Sequence, residues 1–250
     1  MPHTQTTSNL DTRLQGQRVV VLGGSSGIGF AVAQQALAVG AQVVIVSSNS
    51  RRLQEAIQRL GGPVKGYTLD LNDERAIEHF FGALGAFDHL VFTAGDRLRL
   101  GPLADTDLQQ ARKAFDLRYW AALAAAKYGA RQIREGGSIV LTTGIAGLRP
   151  QHGWVLGASV CGAIESLTRA LAVELAPVRV NAVSPGLIRT DLWQDMSEEQ
   201  RQAMYTKASQ ALPVGKVGEA DDVAAAYLFL MRGAFSTGQT FVIDGGAVLV

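Results

Sequence analysis

Seven short runs rich in Val and Ile alternate along this chain with longer stretches of helical spacing, and that alternation limits the fold more than any other feature. The runs cover residues 18–22, 42–46, 64–69, 89–93, 138–142, 179–183 and 240–243. Helical patterns lie at roughly 27–39, 51–60, 73–84, 105–134, 157–176 and 219–231. Strands that are apolar throughout are buried on both faces, as in a parallel sheet covered by helices. Repeated strand–helix units impose right-handed crossovers. The expectation is an α/β fold: one Rossmann-type domain with a doubly wound, seven-stranded parallel sheet. Gly40, and Gly61 with Gly62, stand where the first two helices must end.

The chain has 250 residues and no linker or low-complexity stretch, so residues 15–250 read as a single domain. Residues 1–14 read as a flexible, polar tail without the apolar core of a signal peptide. No apolar run is expected to approach the ~20 residues of a membrane span. A net charge of +1 leaves no basic footprint for nucleic acid. One cysteine excludes an internal disulfide and fits a reducing, cytoplasmic setting. No cluster of metal-ligating residues is evident, so no metal is expected. One segment, 187–216, falls outside the alternation. It carries an S-x-x-Q capping box at Ser197 and Gln200, which predicts a helix starting near 197. Such an insert near the carboxyl ends of the strands is either a substrate lid or a surface helix hairpin.

The first strand runs directly into Gly23, Gly24, Ser25, Ser26, Gly27, Ile28 and Gly29, and a helix follows. Glycines there let backbone approach a pyrophosphate, and the helix amino end favours its charge. At the end of the second strand, an acidic residue would select NAD by binding the ribose 2′-hydroxyl. This chain has Ser47, Ser48, Asn49, Ser50, Arg51 and Arg52 instead. Hydroxyls, an amide and arginines suit a 2′-phosphate, which points to NADP(H) over NAD(H). The arginines have an alternative reading as solvated surface charges.

Together these motifs resemble the short-chain dehydrogenase/reductase family over about residues 16–247. Gly23 to Gly29 are similar to its nucleotide loop, and Asp70 with Leu71 to its adenine-side segment. Thr93, Ala94 and Gly95 match the end of its Asn-Asn-Ala-Gly motif. RVNAVSPGLIRTDL (179–192) is similar to its nicotinamide-side segment, which implies that Pro185, Gly186, Ile188 and Thr190 line the nicotinamide. The resemblance also implies a homotetramer or homodimer built on helices 105–134 and 157–176, with the last strand forming another contact.

The resemblance further implies a catalytic Ser, Tyr, Lys and Asn, and here the chain departs from the pattern. Those positions hold Gly144, Gly157, Cys161 and Arg118. The family's Tyr donates a proton to the carbonyl oxygen, because the alkoxide formed on hydride transfer must be neutralised. Three residues are candidates to compensate. Thr143 offers a hydroxyl at the end of the fifth strand, or only a strand-end hydrogen bond. His152, in the following loop, titrates near neutrality if unperturbed, or is merely solvated. Arg118 restores a cation near the nicotinamide ribose, or pairs with an acid. Cys161 reads as a small buried filler unless its thiol is acidified. Trp120 and Trp154 line either an apolar pocket or core and interface. The readings that remain are an NADP-dependent oxidoreductase with a non-standard site acting on a small molecule, and a catalytically inactive NADP-binding sensor or partner subunit. Dehydration or isomerisation on the same scaffold stands third.

Overall fold

In the computed structural model, which describes residues 13–95 and 101–250, strand β1 (Arg18–Leu22) is buried from its second residue onward. It ends in the glycine turn that opens helix α1 (Gly27–Ala38). The chain continues through β2 (Gln42–Ser47), α2 (Ser50–Leu60), β3 (Val64–Thr68), α3 (Glu74–Leu84) and β4 (Phe87–Phe92). The second half follows as α4 (Leu108–Phe115), α5 (Ala121–Gly129), β5 (Ile133–Thr142), α6 (Val155–Glu174) and β6 (Arg179–Pro185). It closes with β7 (Ile188–Arg189), α7 (Glu198–Ala211), β8 (Gly218–Glu219), α8 (Ala220–Arg232) and β9 (Thr240–Ile243). Seven strands form one parallel sheet in the order β3-β2-β1-β4-β5-β6-β9. The order reverses between β1 and β4, and ligands bind at the carboxyl edge of such a switch point.

Two apolar layers cover the sheet. One joins α1 and α8 to Val19, Val21, Ile45 and Val140; the other joins α3, α5 and α6 to Val20, Leu22, Leu90 and Ile139. Successive strand residues thus alternate between layers, both of them dry, which is why the strands read as continuously apolar.

Three boundaries differ from the sequence reading. Leu14, assigned to the tail, is fully buried in the first layer; residues 1–12 of that tail lie outside the described residues. The helix expected over 105–134 is α4 and α5 joined by a π-helical turn, Asp116–Trp120. The chain then leaves the helix, and Ile133 already pairs with Phe87, so β5 starts five residues before the Ser138 expected from its apolar run. Gly136, at φ +80, lets this polar start bend into the sheet. The expectation of no span-length apolar run is also corrected. Helix α6 has 20 residues and a window of mean hydropathy 1.3, long and apolar enough to cross a membrane. In this fold its Ile164, Leu167 and Leu171 are buried in the second layer.

The insert after β6 is pinned at its base, where β7 pairs with β8 through Ile188–Gly218 and Arg189–Glu219. The expected capping box is present: Gln200 N donates to Ser197 Oγ and Ser197 N to Gln200 Oε1, both at 3.1 Å. Inside the insert, Arg189 lies 4.3 Å from the Tyr205 ring centroid, and Trp193 Nε1 donates to Ile188 O.

Candidate functional site

The glycine turn is shaped by close backbone approach. Gly23 has φ +90, and a Cβ there would fall 2.6 Å from Ala94 N. A Cβ on Gly24 would meet Ile45 Cγ2 at 2.6 Å, and one on Gly29 would collide with Gly23 O and the Thr93 hydroxyl. The turn therefore nests between β2 and the end of β4 with no room for side chains. It opens into the amino end of α1, whose cap residue Ser26 makes no side-chain cap bond, so Ile28 and Gly29 lie in a first turn whose N–H groups have no partner within the helix. Gly27 faces Thr190, whose Cγ2 would lie 3.5 Å from an added Cβ. The glycine turn and the Pro185–Thr190 segment are thus neighbours. Gly186 is held against Asp244 and donates its N–H to Ile243 O, while Ile188 is buried.

At the end of β2 the polar residues divide by role. Ser25 Oγ donates to Ser47 Oγ at 2.9 Å, and both residues are buried, so this pair ties the glycine turn to the strand. Asn49 is the N-cap of α2, accepting from Arg52 N. Ser48 is exposed, as are Asn49, Ser50, Arg51 and Arg52, and Arg51 pairs with Glu55 one turn along. Asp70 is exposed and accepts from Asn72 N and Nδ2, with Leu71 buried beside it. Thr93 directs its hydroxyl backwards onto Leu22 O at 3.1 Å, bracing the glycine turn.

Arg118, Thr143 and Cys161 come together where β4 and β5 end. A cavity of about 30 Å³ is lined by Thr93, Ala94, Arg118, Thr142, Thr143, Val160, Cys161 and Ile164. It has room for at least one water-sized group. Arg118 comes from the π turn, and its guanidinium covers Gly95: a Cβ on Gly95 would lie 3.1 Å from both Cζ and Nη1. π turns shift the helical register and concentrate at functional sites. Here the shift leaves Arg118 in the cleft while Phe115, Tyr119 and Trp120 line an apolar groove with Ala163 and Leu167 of α6.

Of the residues expected to compensate for the lost proton donor, Arg118 and Thr143 meet in this cavity and His152 does not line it. His152 is exposed in the loop before α6. The Thr143 hydroxyl donates to Cys161 O at 3.0 Å. Gly157 is buried, and Gly144 faces the Cys161 sulfur, which an added Cβ would approach to 3.3 Å. Burial pushes the Cys161 thiol up, outweighing the Thr143 hydroxyl and the Arg118 charge that pull it down. A thiol held protonated is a filler, not a nucleophile. Trp154 caps α6, and Trp120 is largely exposed.

Sequence reading did not single out Thr142 or Tyr227. Thr142 Oγ1 donates to Phe92 O at 2.6 Å and lies 2.6 Å from the Tyr227 hydroxyl, which is fully buried on α8. Burial raises the Tyr227 phenol far above its usual range, so this pair locks β4 to β5 and gives no proton near neutrality. No spacing in the sequence links positions 85 residues apart; the one available signal was a hydroxyl at the end of an otherwise apolar strand.

Comparison with known proteins agrees with this architecture. Residues 23–248 match the family described as enoyl-(acyl carrier protein) reductase. A short-chain dehydrogenase/reductase of Stachybotrys chlorohalonatus is 37% identical over 251 residues, covering 94% of this chain and 98% of that protein. A solved small-chain dehydrogenase in complex with NADPH is 40% identical and superposes with a TM-score of 0.83 over 94% of this chain and all of its own. The reductase/Diels-Alderase MalC of Malbranchea aurantiaca is 32% identical, with a TM-score of 0.90 over 96% of this chain and all of its own. Sheet order, glycine turn and near full-length identity agree: the chain belongs to the short-chain dehydrogenase/reductase family.

Proposed function

We propose that this protein is an NADP(H)-dependent oxidoreductase with a non-standard active site, transferring a hydride to or from a small organic substrate. The observation that carries the reading is a contrast within one cleft. The glycine cradle is intact, with Gly23 against Ala94 and Gly27 opposite Thr190, while the centre beside it holds Gly144, Gly157, Cys161 and Arg118. Those cradle positions fit a dinucleotide because a turn of glycines leaves its backbone open to close approach by the phosphates. Ser48 and Arg51 are assigned to the 2′-phosphate, Asp70 and Leu71 to the adenine, and Pro185, Gly186, Ile188 and Thr190 to the nicotinamide. The 40% identical relative held in complex with NADPH supports the choice of cofactor.

When bound, NADPH supplies a hydride. The chain's own residues position the acceptor and stabilise charge at its reacting end. Arg118 is the group assigned to that charge, since it lines the cavity beside Thr143 and cannot itself be deprotonated. The insert 187–216, pinned by the β7–β8 pair, is assigned as the substrate lid. The α4–α6 groove, of about 470 Å³, is assigned to a second copy of the chain in a homodimer or homotetramer.

A second reading has its own support. The hydroxyls of Thr142 and Thr143 are engaged by backbone carbonyls, and the Cys161 thiol is held protonated, which suits an NADP(H)-binding sensor or partner subunit without turnover. Calorimetry with NADPH and NADH, followed by absorbance of the reduced nicotinamide with carbonyls, imines and enones, separates the two. Binding of NADPH with turnover of one class supports the enzyme. Binding without turnover of any supports the sensor, and no binding overturns both.

A further inference from the structure

We infer that Glu165 is the proton source of the site: its carboxyl passes a proton through the Cys161 side chain to the oxygen of a carbonyl acceptor as hydride reaches the carbon. This deepens the NADPH-dependent reading above and rests on it.

Glu165 lies on α6 one turn beyond Cys161, so the two side chains share a face of the helix. Both close on the short turn Ile145–Gly147 that follows β5. A Cβ on Gly147 would stand 3.0 Å from Glu165 Oε1 and 3.1 Å from Cys161 Cβ, so the glycine leaves that space to the carboxyl. Glu165 Oε1 is shielded from solvent there and has no hydrogen-bond partner. A glutamate on a helix surface normally turns both oxygens to water. An unpaired carboxylate oxygen in the interior is costly, whereas a neutral carboxylic acid is tolerated. Burial accordingly pushes the Glu165 carboxyl up, and the Arg169 charge one turn further along pulls against it.

Cys161 connects this acid to the cavity, which its side chain lines beside Thr143. The Thr93, Thr142 and Thr143 hydroxyls there donate to the carbonyls of Leu22, Phe92 and Cys161. The thiol proton is the one that faces the acceptor. Alone, the thiol is a poor donor, because the thiolate left behind is buried. Burial and the Glu165 charge push the thiol up, against Thr143, Arg118 and the Gly147 N–H. A neutral Glu165 lifts that obstacle, because sulfur gains a proton as it gives one away. Oε1 and the sulfur share no hydrogen bond at rest, so one water or a turn of the Glu165 side chain bridges them. The balance closes. Hydride forms a C–H bond, the carbonyl π pair goes to oxygen, and oxygen takes the thiol proton. Sulfur takes the Glu165 proton, NADPH is oxidised to NADP+, and solvent returns a proton to the carboxylate. Two negative charges this close oppose each other, so the pair gives up one proton per turnover and holds the second.

The test uses the full-length protein and two readouts. The first is the infrared difference between wild type and Glu165→Gln, both saturated with NADP+ at neutral pH. It should contain the C=O band of one protonated carboxyl, and a difference without that band overturns the inference. The second is oxidation of NADPH with para-nitrobenzaldehyde and cyclohexanone as carbonyl probes. Glu165→Gln and Cys161→Ala should each lower kcat about a hundredfold with KM nearly unchanged, and Cys161→Ser should retain part of the rate. The wild-type kcat should fall as pH rises and the carboxyl ionises, and Glu165→Gln should lose that dependence. An unchanged kcat in Glu165→Gln, the same pH profile in both proteins, or reduction of neither probe by the wild type overturns the inference. Calorimetry with NADPH on the same samples separates the two failures. Lost NADPH binding in the wild type overturns the underlying reading, whereas intact binding with any of those outcomes removes the Glu165 proton source alone.

Discussion

The Arg118 guanidinium lies flat against Gly95, so close that a Cβ on Gly95 would stand 3.1 Å from its Cζ and 3.2 Å from Nη2. The two residues come from different elements, the end of β4 and the π turn between α4 and α5. Gly95→Ala should displace the guanidinium without touching its charge. The expected outcome is about a tenfold loss in NADPH affinity, or about 1.4 kcal/mol, with the folded state retained by circular dichroism. Unchanged NADPH affinity would show that contact with Gly95 does not set the position of Arg118.

Gly23→Ala is expected to be far more damaging. Its φ of +90 is strained for any L side chain, and the new Cβ would meet Ala94 N at 2.6 Å. A loss of about 2–3 kcal/mol in stability should accompany a loss of NADPH binding. Thermal unfolding with and without cofactor measures both; a variant that keeps its cofactor-induced rise in melting temperature contradicts the cradle assignment.

Cofactor choice should be adjustable at Ser48 and Arg51. The Arg51 side chain is 89% exposed and held only by Glu55 at 3.0 Å, so it can turn to a 2′-phosphate at little cost. Arg51→Ala should raise the Kd for NADPH about tenfold to a hundredfold and leave that for NADH unchanged, since a hydrogen bond to a charged group contributes about 1.5–3 kcal/mol. Ser48→Asp should reverse the preference, because a carboxylate binds a ribose hydroxyl and repels a phosphate. Equal effects on both cofactors would assign Arg51 to the surface alone.

Acid should destabilise the fold through His89. Its Nδ1 lies 2.8 Å from Ser138 Oγ and its Nε2 2.8 Å from Gln17 Oε1, and it is 1% exposed. Burial, helped by the Arg179 charge and opposed by Asp88, lowers its pKa to about 4. The unfolded chain takes up the proton first, near pH 6.5, so the unfolded state gains relative to the folded one as pH falls below that value. Stability from this residue is therefore complete above about pH 6.5, falls between 6.5 and 4, and levels off below, for a total of about 3 kcal/mol. Urea unfolding at pH 7.5 and 4.5 should show the loss, and His89→Gln should remove about 2–3 kcal/mol of the difference. The same difference in the variant would assign acid sensitivity to the carboxylates.

Assembly should depend on Trp120, which is 57% exposed at the mouth of the groove between the π turn and α6. Trp120→Glu places a charge on that apolar surface and should shift the mass measured by light scattering toward the monomer. A wild-type monomer, or an oligomer unmoved by the change, would remove this face as the interface.

Much of this was legible in the chain alone. Seven apolar runs determined the parallel sheet, because strands with two dry faces have no polar side to show. Gly23 to Gly29 after β1 determined the glycine turn that opens α1, and Ser197 with Gln200 determined where α7 begins, because each rests on contacts within a few residues. What tertiary structure decided lies in contacts between distant segments. Ser47 reads as a cofactor contact but is buried against Ser25, and Thr93 turns its hydroxyl to Leu22 O. Thr143 is engaged by Cys161 O, and His152 stays at the surface. A hydroxyl's chemistry depends on which carbonyl already holds its proton, and only the packed fold settles that. Arg118 depends on it most: the π turn that brings it over Gly95 has no local signature, because a helix takes on one extra residue only where its neighbours on both sides require it.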